Sequence, residues 1–101
     1  MALPTTETTT ESMTLNFPNE SRSFDETRKR VRFWGYDRAM EISFFVEADA
    51  LQKLHPDATG NEAGLLQAFD TARQRIHEAA GKVYGRRSSH SYSYVLTASD
   101  F

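Results

Sequence analysis

"RKRVRFWGYDRAMEISFFV", residues 28–46, is the stretch on which the architecture turns. Val31 and Phe33 alternate with Arg30, Arg32 and Trp34. Beyond "GYD", Met40, Ile42, Phe44 and Val46 alternate with Glu41, Ser43 and Phe45. A period of two sends successive side chains to opposite faces of an extended backbone, so the pattern predicts two strands with one apolar face each, paired as an antiparallel hairpin. The turn falls either on Gly35 and Tyr36, where glycine suits the first central position of a type II′ turn, or on a slightly longer loop that includes Asp37. In both registers Val31 and Phe33 share a face with Met40 and Ile42. Glu41 then lies opposite Arg30 or Arg32, a cross-strand pair worth a few tenths to about 1 kcal/mol.

The same alternation predicts a wet face on which Arg28, Arg30, Arg32 and Trp34 share one side with Phe45 nearby. Arginines at alternate positions are what any half-buried strand shows, and a solvated charged face is the plainer reading of them. Trp34 and Phe45 ask for more. Guanidinium groups stacked on the two rings would account for them at about 0.5–1 kcal/mol per exposed contact, and so would burial against a partner. Arg28, Arg30, Arg32, Trp34 and Phe45 are therefore the candidate partner-binding residues.

Past the hairpin, "EADALQKLHPD" predicts a short helix carrying Leu51 and Leu54, closed ahead of Pro56 because the residue before proline is steered away from helix. From Asn61 to about Tyr84 the residues Leu65, Phe69, Ala72, Ile76, Ala79 and Val83 form one narrow stripe, which predicts a single long helix. Asn61 or Thr59 caps its start, Glu62 suits its first turn, and Gly85 followed by two arginines suits its end. In "SHSYSYVLTASDF" Tyr92, Tyr94 and Leu96 alternate with Ser91, Ser93 and Val95, a last strand of seven or eight residues. Upstream, Leu15 and Phe17 suggest a short strand stopped by Pro18.

The chain of 101 residues is long enough for one domain. Threonine-rich residues 1–12 lack the apolar side chains to offset the entropy of ordering and are expected as a disordered tail, leaving 13–101 as a single α+β domain. Met13, heading "MTLNFP", offers an alternative translation start. The amino-terminal segment has neither the basic nor the apolar region of a secretory signal, and no apolar run approaches the roughly 18–20 residues that span a bilayer. The absence of cysteine excludes disulfides, thiolate metal sites and thiol nucleophiles, and suits a reducing cytoplasm. Net charge is −2, but Glu7, Glu11 and Glu20 all precede the first basic residue, so the rest is near neutrality with twelve bases against eleven acids. That balance is far from the strongly basic one of a dedicated nucleic-acid-binding domain.

Chemistry finds little support. His55, His77 and His90 have no ligand spacing on a common face, which predicts no metal site. Ser88, Ser89, His90 and Ser91 are chain neighbours, as are Asp25 and Glu26, and neighbours on a strand point apart instead of converging. Neither Gly81 nor Gly85 sits in a phosphate-loop context. Arg75, Lys82 and Arg86 edge one flank of the long helix, a solvated margin unless the fold sets them beside the hairpin arginines. No enzyme activity, cofactor, small-molecule ligand or membrane association is expected.

The blocks "VRFWGYDRAMEISFFVEADALQKL", "FDTARQRIHEAAGKVY" and "YSYVLTASDF" together resemble the small bacterial family termed domain of unknown function 1488. Order and spacing carry the resemblance, with Phe69 and Ile76 in the long helix and the terminal Asp100 and Phe101 as its distinctive points. It implies a compact α+β fold and no established activity, cofactor or catalytic residue.

The expected fold is α+β: a small antiparallel sheet of the hairpin and the C-terminal strand, with residues 15–17 as a candidate edge strand and with one short and one long helix on one face. The last strand is expected beside the first hairpin strand, with Tyr92, Tyr94 and Leu96 completing the core. The expected function is that of a non-catalytic protein-interaction or regulatory module acting through the uncovered Arg and aromatic face, with self-association one form of it. The alternative is weak binding of single-stranded nucleic acid, bases stacking on Trp34 and Phe45 while arginines meet phosphates.

Overall fold

The computed structural model describes residues 15–86 and 91–101; residues 1–12, Met13 and Ser88–His90, on which some expectations fall, lie outside them. Long β3 (Arg30–Asp37) and β4 (Met40–Glu47) pair along their full lengths, Arg30 opposite Glu47 and Asp37 opposite Met40. Alternation decides the layering as expected. Val31, Phe33, Ile42, Phe44 and Val46 are buried on one face, while the residues between them are less covered on the other.

Two details of the hairpin differ from expectation. The turn is Arg38 and Ala39, with Arg38 at φ 63, so the strands run longer than a turn at Gly35 would allow. Gly35 instead lies inside β3 for reasons of space. A Cβ there would stand 2.8 Å from Phe17 Cε1 and 3.1 Å from Leu15 Cδ1, so the glycine lets the preceding segment lie against the strand. The longer register also sets Glu41 opposite Tyr36, and neither Arg30 nor Arg32 faces it.

The other edge of β3 is filled by two short antiparallel strands. β1 (Leu15–Asn16) pairs with Asp37 and Tyr36, and β2 (Arg22–Asp25) pairs with residues 30–33. β1 was expected; β2, polar at three of four positions, was not. With that edge occupied, β5 (Ser93–Leu96) cannot pair beside β3 and lies parallel to β4, Ser43 opposite Ser93 and Val46 opposite Leu96. A parallel neighbour requires a crossover, and the helices supply it: α1 (Ala48–Leu54), α2 (Glu62–Thr71) and α3 (Arg73–Arg86). β5 is also shorter than expected. Tyr94 and Leu96 complete the core, but Tyr92 precedes the strand and is exposed.

The single long helix is resolved into α2 and α3 by Ala72, whose φ −103 and ψ 18 are off-helical. The apolar stripe is unaffected: Leu65, Phe69, Ala72, Ile76, Ala79 and Val83 are all buried. Hydrogen bonding also crosses the break, since Ala72 N–H donates to the Ala68 carbonyl and Ile76 N–H donates to the Ala72 carbonyl. Asn61 caps α2 by accepting from Gly64 N–H at 2.9 Å. Gly85 lies within α3, with no positive φ.

The core between helices and sheet is ring-rich. Phe33 packs on Phe44 and on Phe69 at 5.2 Å between centroids in each case, and Phe44 stacks on Tyr94 at 5.7 Å. Fully burying such a side chain stabilises the fold by about 1.5–3 kcal/mol. The result is an α+β arrangement, a mixed sheet with helices on one face and the other face uncovered.

Candidate interaction surface

The register fixes the uncovered face in rows across β3 and β4: Arg30 with Glu47, Arg32 with Phe45, Trp34 with Ser43, and Tyr36 with Glu41. β2 extends the lower rows with Asp25 beside Arg30 and Ser23 beside Arg32, and β5 adds Val95 beside Phe45 and Ser93 beside Ser43. Four of the five expected residues, Arg30, Arg32, Trp34 and Phe45, are thereby brought together. Arg28 is not in the strand. It occupies the exposed turn at residues 26–29, where its backbone N–H donates to Asp25 Oδ1 at 3.2 Å. Lys29, at φ 54, bends the chain there and takes Arg28 out of the pleat.

Of the two accounts offered for the rings on this face, contact with guanidinium groups is present. The Arg30 guanidinium lies 3.9 Å above the Phe45 ring, and that of Arg32 lies 5.0 Å from Trp34 and 5.7 Å from Phe45. Rings and guanidiniums thus shield one another, which leaves both aromatics half-buried instead of fully wet.

The two arginines differ in their polar partners. Arg30 Nε donates to Asp25 Oδ2 at 3.1 Å in an ion pair. The Asp25 carboxyl is held below the usual carboxylate value, first by the Arg28 N–H and then by Arg30, against an opposing desolvation. Arg32 Nη2 donates to Ser43 Oγ at 3.0 Å, while its Nε is buried without an acceptor. Among the described residues no carboxylate lies within ion-pair distance of Arg32. At the upper rim the Tyr36 hydroxyl donates to Glu41 Oε2 at 3.0 Å, and this bond raises the phenol above its ordinary value.

Sequence reasoning missed Val95, which is 38% exposed and extends the Phe45 row, and Tyr92, which is 63% exposed. Alternation marks Val95 as pointing away from Tyr94 and Leu96, but only the pairing with β4 shows that it adjoins Phe45.

The remaining candidates lie elsewhere. Arg75 and Lys82 line a groove with Glu78, Asp100 and Phe101 on the helical side, and Arg86 Nη2 is 3.8 Å from Asp100 Oδ1. The sheet separates this flank from the open face, so it does not extend the arginine patch. His55 closes α1 through its N–H to the Leu51 carbonyl, and His77 stacks on Phe17. Among the described residues no group of three His, Cys, Asp or Glu side chains is placed to hold a metal ion, and no helix is long and apolar enough to cross a membrane.

A family model described as protein of unknown function (DUF1488) matches residues 15–96. A crystal structure of a protein of unknown function of the same family from Shewanella loihica PV-4 is similar with a TM-score of 0.72 at 19% identity, over 82% of this chain and 91% of that chain. At that identity the likeness speaks to the fold alone. No curated protein matches the chain.

Proposed function

Because the chain belongs to the DUF1488 family, whose description names no reaction, we propose from its own surface that it is a non-catalytic protein-interaction or regulatory module of the cytoplasm, binding through the open sheet face. One observation carries the reading: the guanidiniums of Arg30 and Arg32 lie over Phe45 and Trp34, 3.9 Å and 5.0 Å from the ring centroids, at the middle of an uncovered sheet face. Arginine and tryptophan are the residues most often found where binding energy concentrates, and a half-desolvated centre with a polar rim is the anatomy of a protein interface.

The charges favour a protein over a polyanion. Arg28, Arg30 and Arg32 are offset by Asp25, Glu41 and Glu47 on or beside the same face. Arg30 is committed to Asp25, and both rings are covered by guanidiniums in place of being free for bases. A nucleic-acid surface gains its affinity from several unpaired cations meeting phosphates, whereas of the two β3 arginines here only Arg32 lacks a carboxylate partner among the described residues.

The reading is tested by capture from cell lysate with the wild-type chain and with a folded Trp34→Ala/Phe45→Ala variant, each with and without nuclease. The expected result is a protein held despite nuclease which, once purified, binds the variant at least about tenfold more weakly. Binding indifferent to the double substitution, or abolished by nuclease, overturns the proposal.

A further inference from the structure

Resting on that reading of the open face, we propose that its partner is a second copy of this chain, packed face to face about a two-fold axis running along the strands between β3 and β4. Such an axis exchanges β3 with β4 and leaves the height along the strands unchanged. Each side chain then meets, across the interface, the residue type it already faces within its own sheet. Arg30, whose Nε stays with Asp25, meets Glu47 of the second copy through its remaining nitrogens, Arg32 meets its Phe45, Trp34 meets its Ser43, and Tyr36 meets its Glu41.

Every row is complementary: charge with countercharge, guanidinium with ring, indole with hydroxyl, phenol with carboxylate. A two-fold axis perpendicular to the strands instead lays Glu41 over Glu47, like on like, so the chemistry selects the first axis. Since the contact is isologous, each favourable pair occurs twice. The Glu47 carboxylate makes no cap hydrogen bond to α1, although Glu47 is that helix's N-cap residue. The exposed Val95 lies in the row of Ser23, and the axis brings it over Ser23 of the second copy.

Size suits a reversible association. Strands about 4.8 Å apart and side-chain rows about 6.8 Å apart give this sheet a face of roughly 500 Å². Two such faces remove roughly 1,000 Å² from water, the lower end for specific protein contacts. Aligned sheet packing at about 10 Å separation accommodates the twist of both sheets.

Sedimentation equilibrium of the full chain from about 1 µM to about 1 mM, the range in which a contact of this size dissociates, tests the proposal. Wild type is expected to dimerise reversibly. Glu47→Arg faces Arg30 with a second cation and is expected to weaken the dimer at least about tenfold, while Arg30→Glu/Glu47→Arg restores it to within about threefold. Trp34→Ala, which leaves every charge in place, is expected to weaken it at least about tenfold as well. Circular dichroism confirms that each variant is folded.

A wild-type chain that stays monomeric throughout, a dimer indifferent to Trp34→Ala, or a folded charge swap that fails to reassociate overturns the proposal. A monomeric wild type that still binds another protein through Trp34 and Phe45 removes only self-association. Loss of both removes the reading of the face itself.

Discussion

Phe17 and His77 stack face to face, their ring centroids 4.0 Å apart and their planes within 8°. The contact holds the segment that follows β1 against α3, and it places a titratable ring in the margin of the aromatic core, 5.6 Å from Phe33. Desolvation by burial lowers the His77 pKa below 6.5, the nearby Arg73 charge lowers it further, and Glu20 opposes them. The folded protein therefore prefers neutral His77, while the unfolded chain takes up a proton at about pH 6.5. Stability from the neutral ring is complete above that pH and is lost as pH falls through 6.5 toward the depressed folded value. The melting temperature should fall between about pH 7 and pH 5, and His77→Phe should remove that part of the dependence. An equal slope in the variant would show that another group is responsible.

Carboxylates act in a separate window. Asp70 accepts from Arg22 Nε at 2.9 Å and Nη2 at 2.8 Å and from Arg73 Nη2 at 3.0 Å, and these partners, Arg22 foremost, hold its pKa below 3.8. Its contribution is present above the ordinary carboxylate value and is lost only as pH falls through the lowered one. The trio is partly solvent-exposed, so its pairing is screened and Asp70→Asn should cost no more than about 1 kcal/mol at pH 7. The neighbouring residue behaves oppositely. Phe69 is fully buried against Phe33, and Phe69→Ala should cost about 3–5 kcal/mol in urea unfolding. Comparable losses for the two would mean that the ion-paired cluster anchors α2 as strongly as the core does.

Gly35 makes a sharper test of packing. A methyl group at this position would intrude on Phe17 at 2.8 Å, and overpacking of this kind costs about 1–3 kcal/mol. Gly35→Ala should destabilise the fold by that amount. In a Phe17→Ala background the cost should shrink, since the obstructing ring is gone, giving a coupling of about 0.5 kcal/mol or more in a double-mutant cycle. Simple additivity would relocate the role of the glycine to backbone conformation.

What the sequence made legible follows from which forces are local. Alternation is set by the pleat, so the faces of Val31, Phe33, Ile42 and Phe44, and with them the shared side of Arg30, Arg32 and Trp34, could be read without a partner strand, whereas the row that sets Phe45 opposite Arg32 came only with the register. The stripe from Leu65 to Val83 was equally readable, but the irregularity at Ala72 leaves the stripe in phase and carries no proline or glycine to mark it. Strand order was not local. β5 pairs with β4 because β1 and β2 occupy the free edge of β3, and "RSFD" has too few apolar positions to announce a strand. The place of Val95 in the surface depended on that order and was lost with it. Gly35 misled for the same reason: glycine serves turns and close approaches alike, and only the position of Phe17 tells them apart.

Arg32 separates the demands of folding from those of binding. Its Nε is buried with no acceptor, and among the described residues its charge has no carboxylate counterpart. An unmet buried donor costs about 1–3 kcal/mol, and the ring contacts and the bond to Ser43 stand against that cost. Methionine retains an apolar side chain beside Trp34 and Phe45 while removing the donor and the charge. Arg32→Met should therefore leave the free energy of unfolding unchanged within about 1 kcal/mol, or raise it. Association through the face should nevertheless weaken, because the guanidinium that meets the partner's ring is gone. The same substitution at Arg30 should destabilise, since it strands Asp25 without its ion pair. Urea unfolding and sedimentation of the two variants side by side decide the matter: an Arg32→Met chain that loses more than about 1 kcal/mol assigns the residue to folding, and one that keeps its stability but not its partner assigns it to the interface.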